Sequence, residues 1–233
     1  MTLTADDLVA KARDQRQRKR YEEALVSAIA AVRMDPESAD GWWQVALNRL
    51  SLGDPENALE ALEQVTSLAP DFVPGWAKYG ETAQATGATA DACDAFREVL
   101  EREEDHVIAL NGLTKIYQAR NESSEKDLEI QLLSKLDELD EIESHQLNRL
   151  GTLHYEKSHF LEAIKYWNRD AKNNDSPSSL FNLGLAYNNA EVTKDADAID
   201  HWRLVLERKQ DFERAKERID AVLPRLLELA RAA

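Results

Sequence analysis

The sequence predicts an all-α fold built from a repeated helical unit, and three observations carry that reading. Ala, Leu, Glu, Lys, Arg and Gln dominate long stretches, broken by only 8 Gly and 6 Pro, and these residues lose least freedom on entering a helix. Ala12, Ala46, Gly80 and Thr114 recur at a step of 34 residues. Three further columns keep the same step: Trp42, Trp76 and Leu110; Ala24, Ala58 and Ala92; Pro36 and Pro70.

Each column has a steric reason. Two helices packed about 8–10 Å apart leave room only for small side chains at their closest approach, which accounts for the Ala12 column on one helix and the Ala24 column on its partner. Trp42, Trp76 and Leu110 stand one turn before the small residue and share its face, so they fill the space beside it. Pro36 and Pro70 end second helices, because proline lacks an N–H and disfavours helix at the residue before it. Gly53 and Gly87 mark turns between paired helices.

These columns resemble the tetratricopeptide family, whose unit is a helix-turn-helix of this length. The resemblance implies a right-handed superhelical solenoid of about six repeats in a single domain, residues 1–233, closed by a C-terminal capping helix. The repeats in order are 5–38 (Tyr21, Ala24, Pro36), 39–72 (Trp42, Ala46, Gly53, Ala58, Pro70) and 73–106 (Trp76, Gly80, Gly87, Ala92, Phe96). Repeat one departs from the pattern with Leu8 in the Trp column and Gln15 in a usually aromatic one, as terminal repeats do. Residues 107–143 form a degenerate fourth repeat that keeps Leu110, Leu113 and Tyr117 but loses the alanine column. Register returns in 144–177 (Leu147, Leu150, Gly151, Phe160, Ala163, Trp167) and in 178–210 (Leu180, Leu183, Gly184, Tyr187, Ala198, Trp202), with a lengthened turn from Asn188 to Thr193. Residues 211–233 are expected to cap the array: Phe212 to Leu223 reads as an amphipathic helix, Pro224 kinks or stops it, and Arg225 to Ala233 follows without a clear stop signal.

Composition narrows the function classes. Net charge is -15, and residues 39–143 carry the whole excess with 23 acids against 8 bases. Such a field repels phosphate backbones and argues against nucleic acid as a partner. No run of about 18 apolar residues exists to span a membrane. The first residues lack the pattern of a secretory signal, and the single Cys93 has no internal disulfide partner, so a cytoplasmic location is expected.

No Gly-rich phosphate loop, HExxH, GxSxG or paired-cysteine pattern is present, so no catalytic activity, metal or cofactor is expected. His106, His145, His154, His159 and His201 do not pair at the three- or four-residue spacing that would put two ligands on one helix face. Cys93, beside Ala92, reads as a packed thiol. The run from Lys11 to Arg20 holds six bases and one acid; it reads as a solvated helix end whose cations suit the C-terminal dipole, with an anion contact or docking on another copy as the alternatives.

The resemblance also implies where a partner binds, because in this family the first helices of successive repeats line a groove. The groove residues it implies are Trp43, Lys78, Asn111, Lys115, Asn148, Arg149, Tyr155, Phe181 and Asn182, with Arg13, Arg16, Leu47 and Gln84 earlier and Gln118, His145 and Asn188 later. Asn111, Asn148 and Asn182 form a candidate amide ladder for an extended peptide backbone. Lys115 and Arg149 add cations that fit a carboxylate, pointing to an acidic or C-terminal segment. Asn111 precedes Lys115, the reverse of the family's carboxylate clamp. Trp43 turns about 100 degrees from Trp42, toward the groove or onto the neighbouring repeat. The expected function is a scaffold or adaptor that binds a peptide or partner helix; the alternative is the regulatory or targeting region of a larger enzyme or assembly. The exposed repeat ends leave self-association open.

Overall fold

A computed structural model describes residues 3–174, 176–189, 195–208 and 213–232. Among them are thirteen α-helices and no strand. In chain order these are α1 (Ala5–Gln17), α2 (Tyr21–Met34), α3 (Ala39–Ser51), α4 (Pro55–Leu68), α5 (Val73–Thr86), α6 (Thr89–Arg102), α7 (Val107–Arg120), α8 (Lys126–Glu138), α9 (Ser144–Glu156), α10 (Phe160–Asn174), α11 (Pro177–Tyr187), α12 (Asp195–Arg208) and α13 (Glu213–Ala232). The chain divides into two compact units, Met1–Glu125 and Lys126–Ala233, so the division falls inside the degenerate fourth repeat.

In the first unit α1 packs on α2, α3 on α4 and α5 on α6, and each hairpin leans on the next through α2 on α3, α4 on α5 and α6 on α7. First helices also touch: α1 meets α3, and α5 meets α7. Helix starts are capped where the sequence supplies an acceptor. Thr4 and Asp7 form a reciprocal capping box, Ser38 Oγ accepts from Gly41 N at 3.1 Å, and Asp54 accepts from Asn57 N ahead of Pro55. The small-residue columns are fully buried at Ala12, Ala24, Ala46, Ala58 and Ala92. Gly80 is the tightest of them on its own hairpin, since a Cβ there would lie 2.7 Å from the Phe96 ring.

The Trp and Pro columns prove to be one device. Trp42 Nε1 donates to the Pro36 carbonyl at 2.9 Å, and Trp76 Nε1 donates to the Pro70 carbonyl at 2.8 Å. A carbonyl left over beyond the end of the second helix is thereby paired with the indole of the next first helix. Both rings are half-buried, and it is Phe96 that lies against the Gly80 backbone.

In the second unit α8 packs on α9, α9 on α10, α10 on α11, α11 on α12 and α12 on α13, with α9 also on α11. Two tryptophans organise it. Trp167 lies on Gly151, where an added Cβ would sit 2.5 Å from Nε1, and its Nε1 donates to the Asn148 carbonyl at 3.0 Å. Trp202 repeats the arrangement on Gly184, donating to the Phe181 carbonyl at 3.1 Å. Gly151 and Gly184 are 33 residues apart, so the structural register of the last repeat is one residue shorter than the general step, and Phe181 corresponds to Asn148.

Pro224 does not stop the last helix, which runs through it from Glu213 to Ala232. The ring fits helical φ, and its cost is one missing N–H bond and crowding of the preceding turn, which the rest of a 20-residue helix outlasts. Ala215 and Val222 reach the core from α13. Residues 190–194 of the lengthened turn, Asp211 and Phe212 of the capping segment, Ala233, and the side chains of 225–232 lie outside the described residues.

The turns between paired helices keep the 34-residue step more strictly than the sequence reveals. Lys19, Gly53, Gly87 and Asn121 all have positive φ, at 60°, 75°, 82° and 49°. Glycine adopts this left-handed conformation freely, whereas a residue with a Cβ is strained there. Replacing Lys19 with glycine should therefore raise the stability of the first unit by about 0.5–1 kcal/mol, read in urea as a higher midpoint with an unchanged slope; an unchanged midpoint would show the strain to be absent.

Candidate functional site

The first-helix face of the first unit carries one apolar opening among paired charges. Trp43, in the first turn of α3, meets Phe72 at the start of α5 edge to face, with ring centroids 5.2 Å apart at 89°. With Ala39, Asp40 and Ala69 the two rings line a recess of about 240 Å³. Phe72 is 37% exposed, high for a phenylalanine in a packed array. Trp43 thus packs on Phe72, the last residue of its own repeat, and lines a recess. Arg13 pairs with Asp40 at 2.7 Å beside it, across the contact of α1 and α3.

Farther along this face, Lys78 pairs with Glu81 on its own helix. Gln84 Nε2 donates to the Gly112 carbonyl at 3.3 Å and ties α5 to α7. Asn111 donates to the Val107 carbonyl of its own helix at 3.1 Å. Lys115 is exposed and has no ion pair among the described residues.

The second unit uses the residues singled out there for its own architecture. Arg149 grips Glu129 with both arms, Nε to Oε1 at 2.7 Å and Nη2 to Oε2 at 2.8 Å. Glu129 is 1% exposed, so the guanidinium is the countercharge of a buried carboxylate. The bond to Glu129 is also the main cause that holds the Arg149 pKa above its ordinary value.

Asn148 is engaged as well. Its Nδ2 donates to Ser179 Oγ at 2.7 Å, and Ser179 Oγ donates to Asp170 Oδ2 at 2.5 Å. Asp170 is fully buried and also accepts from Ser144 Oγ at 2.6 Å and Asn174 Nδ2 at 2.8 Å. This network borders a polar cleft of about 420 Å³ whose rim includes Glu143, His145, Ser176 and Ser178. Tyr155 meets Phe160 edge to face and Trp167 at a tilt, with centroids 5.3 and 5.7 Å away.

Phe181, expected as a groove anchor, is buried at 9% and belongs to the core of this unit, while Asn182 is half-buried. The shortened register explains the first placement and also separates Asn182 from the column of Asn148. Phe72 was missed in the sequence although the step of 34 puts it in the column of Ser38 and His106, where a large apolar residue stands out. Glu129 and Asp170 carry no sequence signal, because acids at helical spacing are ordinarily solvated.

His154 lies at the end of α9, stacked on Tyr166 at 5.4 Å and 5.8 Å from His159. Its Nδ1 is buried without a hydrogen-bond partner. Burial pulls its pKa below the ordinary 6.5; His159, Lys157 and Lys165 act the same way, and Glu162 opposes them. The folded chain therefore binds this proton less readily than the unfolded chain, and stability falls as pH drops from 7 through the ordinary histidine value. His154→Phe, which keeps the stacking and cannot titrate, should make the fall in melting temperature between about pH 7 and 5.5 shallower; an equally steep fall would assign the slope to other groups.

Removing Arg149 strands the Glu129 carboxylate. Arg149→Ala should destabilise the second unit by about 3–5 kcal/mol, measured by chemical denaturation, whereas a loss under about 1 kcal/mol would mean that the pair behaves as a surface one.

Comparison with known proteins places this architecture. Residues 9–71 and 44–106 match the Tetratricopeptide repeat family in two overlapping passes. The Small glutamine-rich tetratricopeptide repeat-containing protein 2 of Saccharomyces cerevisiae is 24% identical over 127 residues, 54% of this chain and 36% of that protein. Superkiller complex protein 3 of Mus musculus is 28% identical over 93 residues, 40% of this chain and 6% of that protein. The chain thus spans about a third of the first relative's length and a small fraction of the second's. Among solved structures it resembles YrrB, described as a TPR protein with an unusual peptide-binding site, with a TM-score of 0.66 at 16% identity over 82% of this chain and 96% of that one. Residues 9–106 thus match tetratricopeptide repeats, and the chain shares the helical-repeat fold of solved tetratricopeptide proteins.

Proposed function

We propose that this protein is an interaction module, a scaffold or adaptor, whose first-helix face in the first unit binds a peptide or helix of a partner protein. The observation that carries the reading is the recess between Trp43 and Phe72, an apolar opening beside the Arg13–Asp40 ion pair. A single apolar side chain fits it, and buried aromatic anchors of this kind supply most of the energy of an interface. Lys115 on the same run of helices is the cation that would take a carboxylate, which favours an acidic or C-terminal segment. Peptide binding is also stated of YrrB, which shares the fold.

No catalytic role is proposed. The buried thiol of the single Cys93 fits a reducing compartment such as the cytoplasm. A second reading, that these repeats serve as the regulatory or targeting region of a larger assembly, draws on the curated relatives, which extend well beyond the matched portion.

Phe72→Ser tests the anchor cleanly, because serine is the residue of the same column at Ser38, where it caps a helix. With a partner recovered by affinity capture and then purified, the variant should keep its fold and lose roughly thirtyfold in Kd, about 2 kcal/mol. Unchanged affinity in titration calorimetry would remove the recess from the site.

A further inference from the structure

The recess between Trp43 and Phe72 has a counterpart in the second unit, where the same positions of the repeat build a site of opposite character. Ala39, Asp40 and Trp43 stand seven, six and three residues before Ala46, and Phe72 stands eight before Gly80. The same offsets from Gly151 and Gly184 give Ser144, His145, Asn148 and Ser176. All four line the polar cleft of about 420 Å³ at the starts of α9 and α11.

The residue beneath the cleft differs most. Seven residues after the column alanines Ala24, Ala58, Ala92, Ala163 and Ala198 stand Ala31, Val65, Val99, Asp170 and Val205. All five are fully buried, and Asp170 alone among them is polar. In the first unit this position packs on the start of the next first helix, where Val65 Cγ1 lies 3.0 Å from a Cβ built on Gly75. In the second unit Asp170 meets Ser179, the residue of the Gly75 column, through a hydrogen bond. Its other partners, Ser144 and Asn174, are neutral too, and no cation pairs with it among the described residues. Lys172 is turned about 200 degrees away around α10 and does not line the cleft. A buried carboxylate without a countercharge carries a desolvation penalty that the aliphatic residue of this column avoids.

The direction of the bonds decides what the cleft offers. Ser144 and Ser179 direct their only protons to Asp170, so each has lone pairs alone to present. Asn148 must then turn its amide nitrogen to Ser179, which leaves Oδ1 as its acceptor in the cleft that it lines. Glu143 adds an exposed carboxylate at the rim, with His145 Nδ1 3.2 Å from it, and the hydroxyls of Ser176 and Ser178 can turn either way. The lining holds no Lys or Arg, and no set of three metal-ligating side chains forms among the described residues. What fits is an organic cation rich in donors.

We propose that this cleft is a docking site for a lysine side chain of a partner segment, separate from the apolar recess of the first unit. The ammonium has three donors, which match Asn148 Oδ1, the Ser144 hydroxyl and the Glu143 carboxylate. Asp170 beneath them supplies a negative charge that its buried surroundings screen weakly.

The test titrates the full chain with the blocked tripeptide N-acetyl-Gly-Lys-Gly-amide at pH 8, above the ordinary histidine range, followed by amide-resolved NMR. The expected result is saturable shifts at Ser144, His145 and Ser178 that weaken as salt is added, and none with N-acetyl-Gly-Gln-Gly-amide. Asp170→Asn, which keeps the size and removes the charge, should weaken the lysine probe about tenfold. Ser178→Lys, at an exposed rim position, puts a tethered ammonium beside the cleft and should weaken the probe about threefold or more; it carries the test if Asp170→Asn fails to fold. No saturable shift below about 20 mM, equal shifts with the glutamine probe, or unchanged affinity in the folded variants would overturn the proposal. So would a parent chain that sediments as a dimer and becomes monomeric on Ser178→Lys, since a second copy would then own the cleft. Phe72→Ser acts in the other unit and leaves these readouts untouched, so the two sites stand or fall separately.

Discussion

An aromatic ring laid on a stretch of backbone that has no side chain is the contact on which the rest of both units depends. Phe96 lies on Gly80, Trp167 on Gly151 and Trp202 on Gly184. In each case the ring needs the room a Cβ would take, so the spacing of the two helices in a hairpin is set by ring thickness rather than by interdigitated side chains. The tryptophans go further, because each indole N–H donates to a carbonyl one turn before its glycine. That bond fixes the rotation of one helix against the other, and the rotation decides which residues of α9 and α11 face inward. Phe181 is in the core and Asn148 reaches Ser179 as consequences of this clamp.

Polar groups follow the same economy of positions. The carbonyls of Pro36 and Pro70 are taken by Trp42 and Trp76, Asp170 is surrounded by hydroxyl and amide donors, and Glu129 is neutralised by Arg149. Each pairing removes a penalty that an unpaired buried group would impose. The result is that much of the polar chemistry on the second unit's first helices is committed to holding the helices together. The first unit differs in that its charges pair with each other, Arg13 with Asp40 across α1 and α3 and Lys78 with Glu81 within α5, and an apolar recess opens beside Asp40.

The sequence made the repeat legible because a repeat is a periodic constraint, and small residues, prolines and tryptophans have few alternatives where helices crowd or end. Lys19 and Asn121 escaped notice although they sit in the same turn column as Gly53 and Gly87, since a strained non-glycine leaves no mark in composition. Pro224 carries the local signal of a kink or a stop, and only the fold shows the helix running through it from Glu213 to Ala232. Arg149 and Asn148 look like ligand-binding groups on a helical wheel; only the fold reveals that Glu129 and Ser179 reach them first. The lost residue in the last repeat lies between the start of α10 and the start of α11, 17 residues apart against 18 from α4 to α5, so the pattern within α11 stays intact and only its register against the earlier repeats shifts.

In an array of equivalent units, a site is a place where one unit departs from its neighbours without closing the space the departure opens. Phe72 stands where the flanking repeats have Ser38 and His106, and a recess forms beside it. Tyr79, by contrast, departs from a column that is aliphatic at Val45, Leu113, Leu150 and Leu183, and its ring packs on Trp76 and the core. The proposed apolar anchoring therefore rests on the recess between Trp43 and Phe72, since in the later repeats Asn148 is engaged by Ser179 and Arg149 by Glu129.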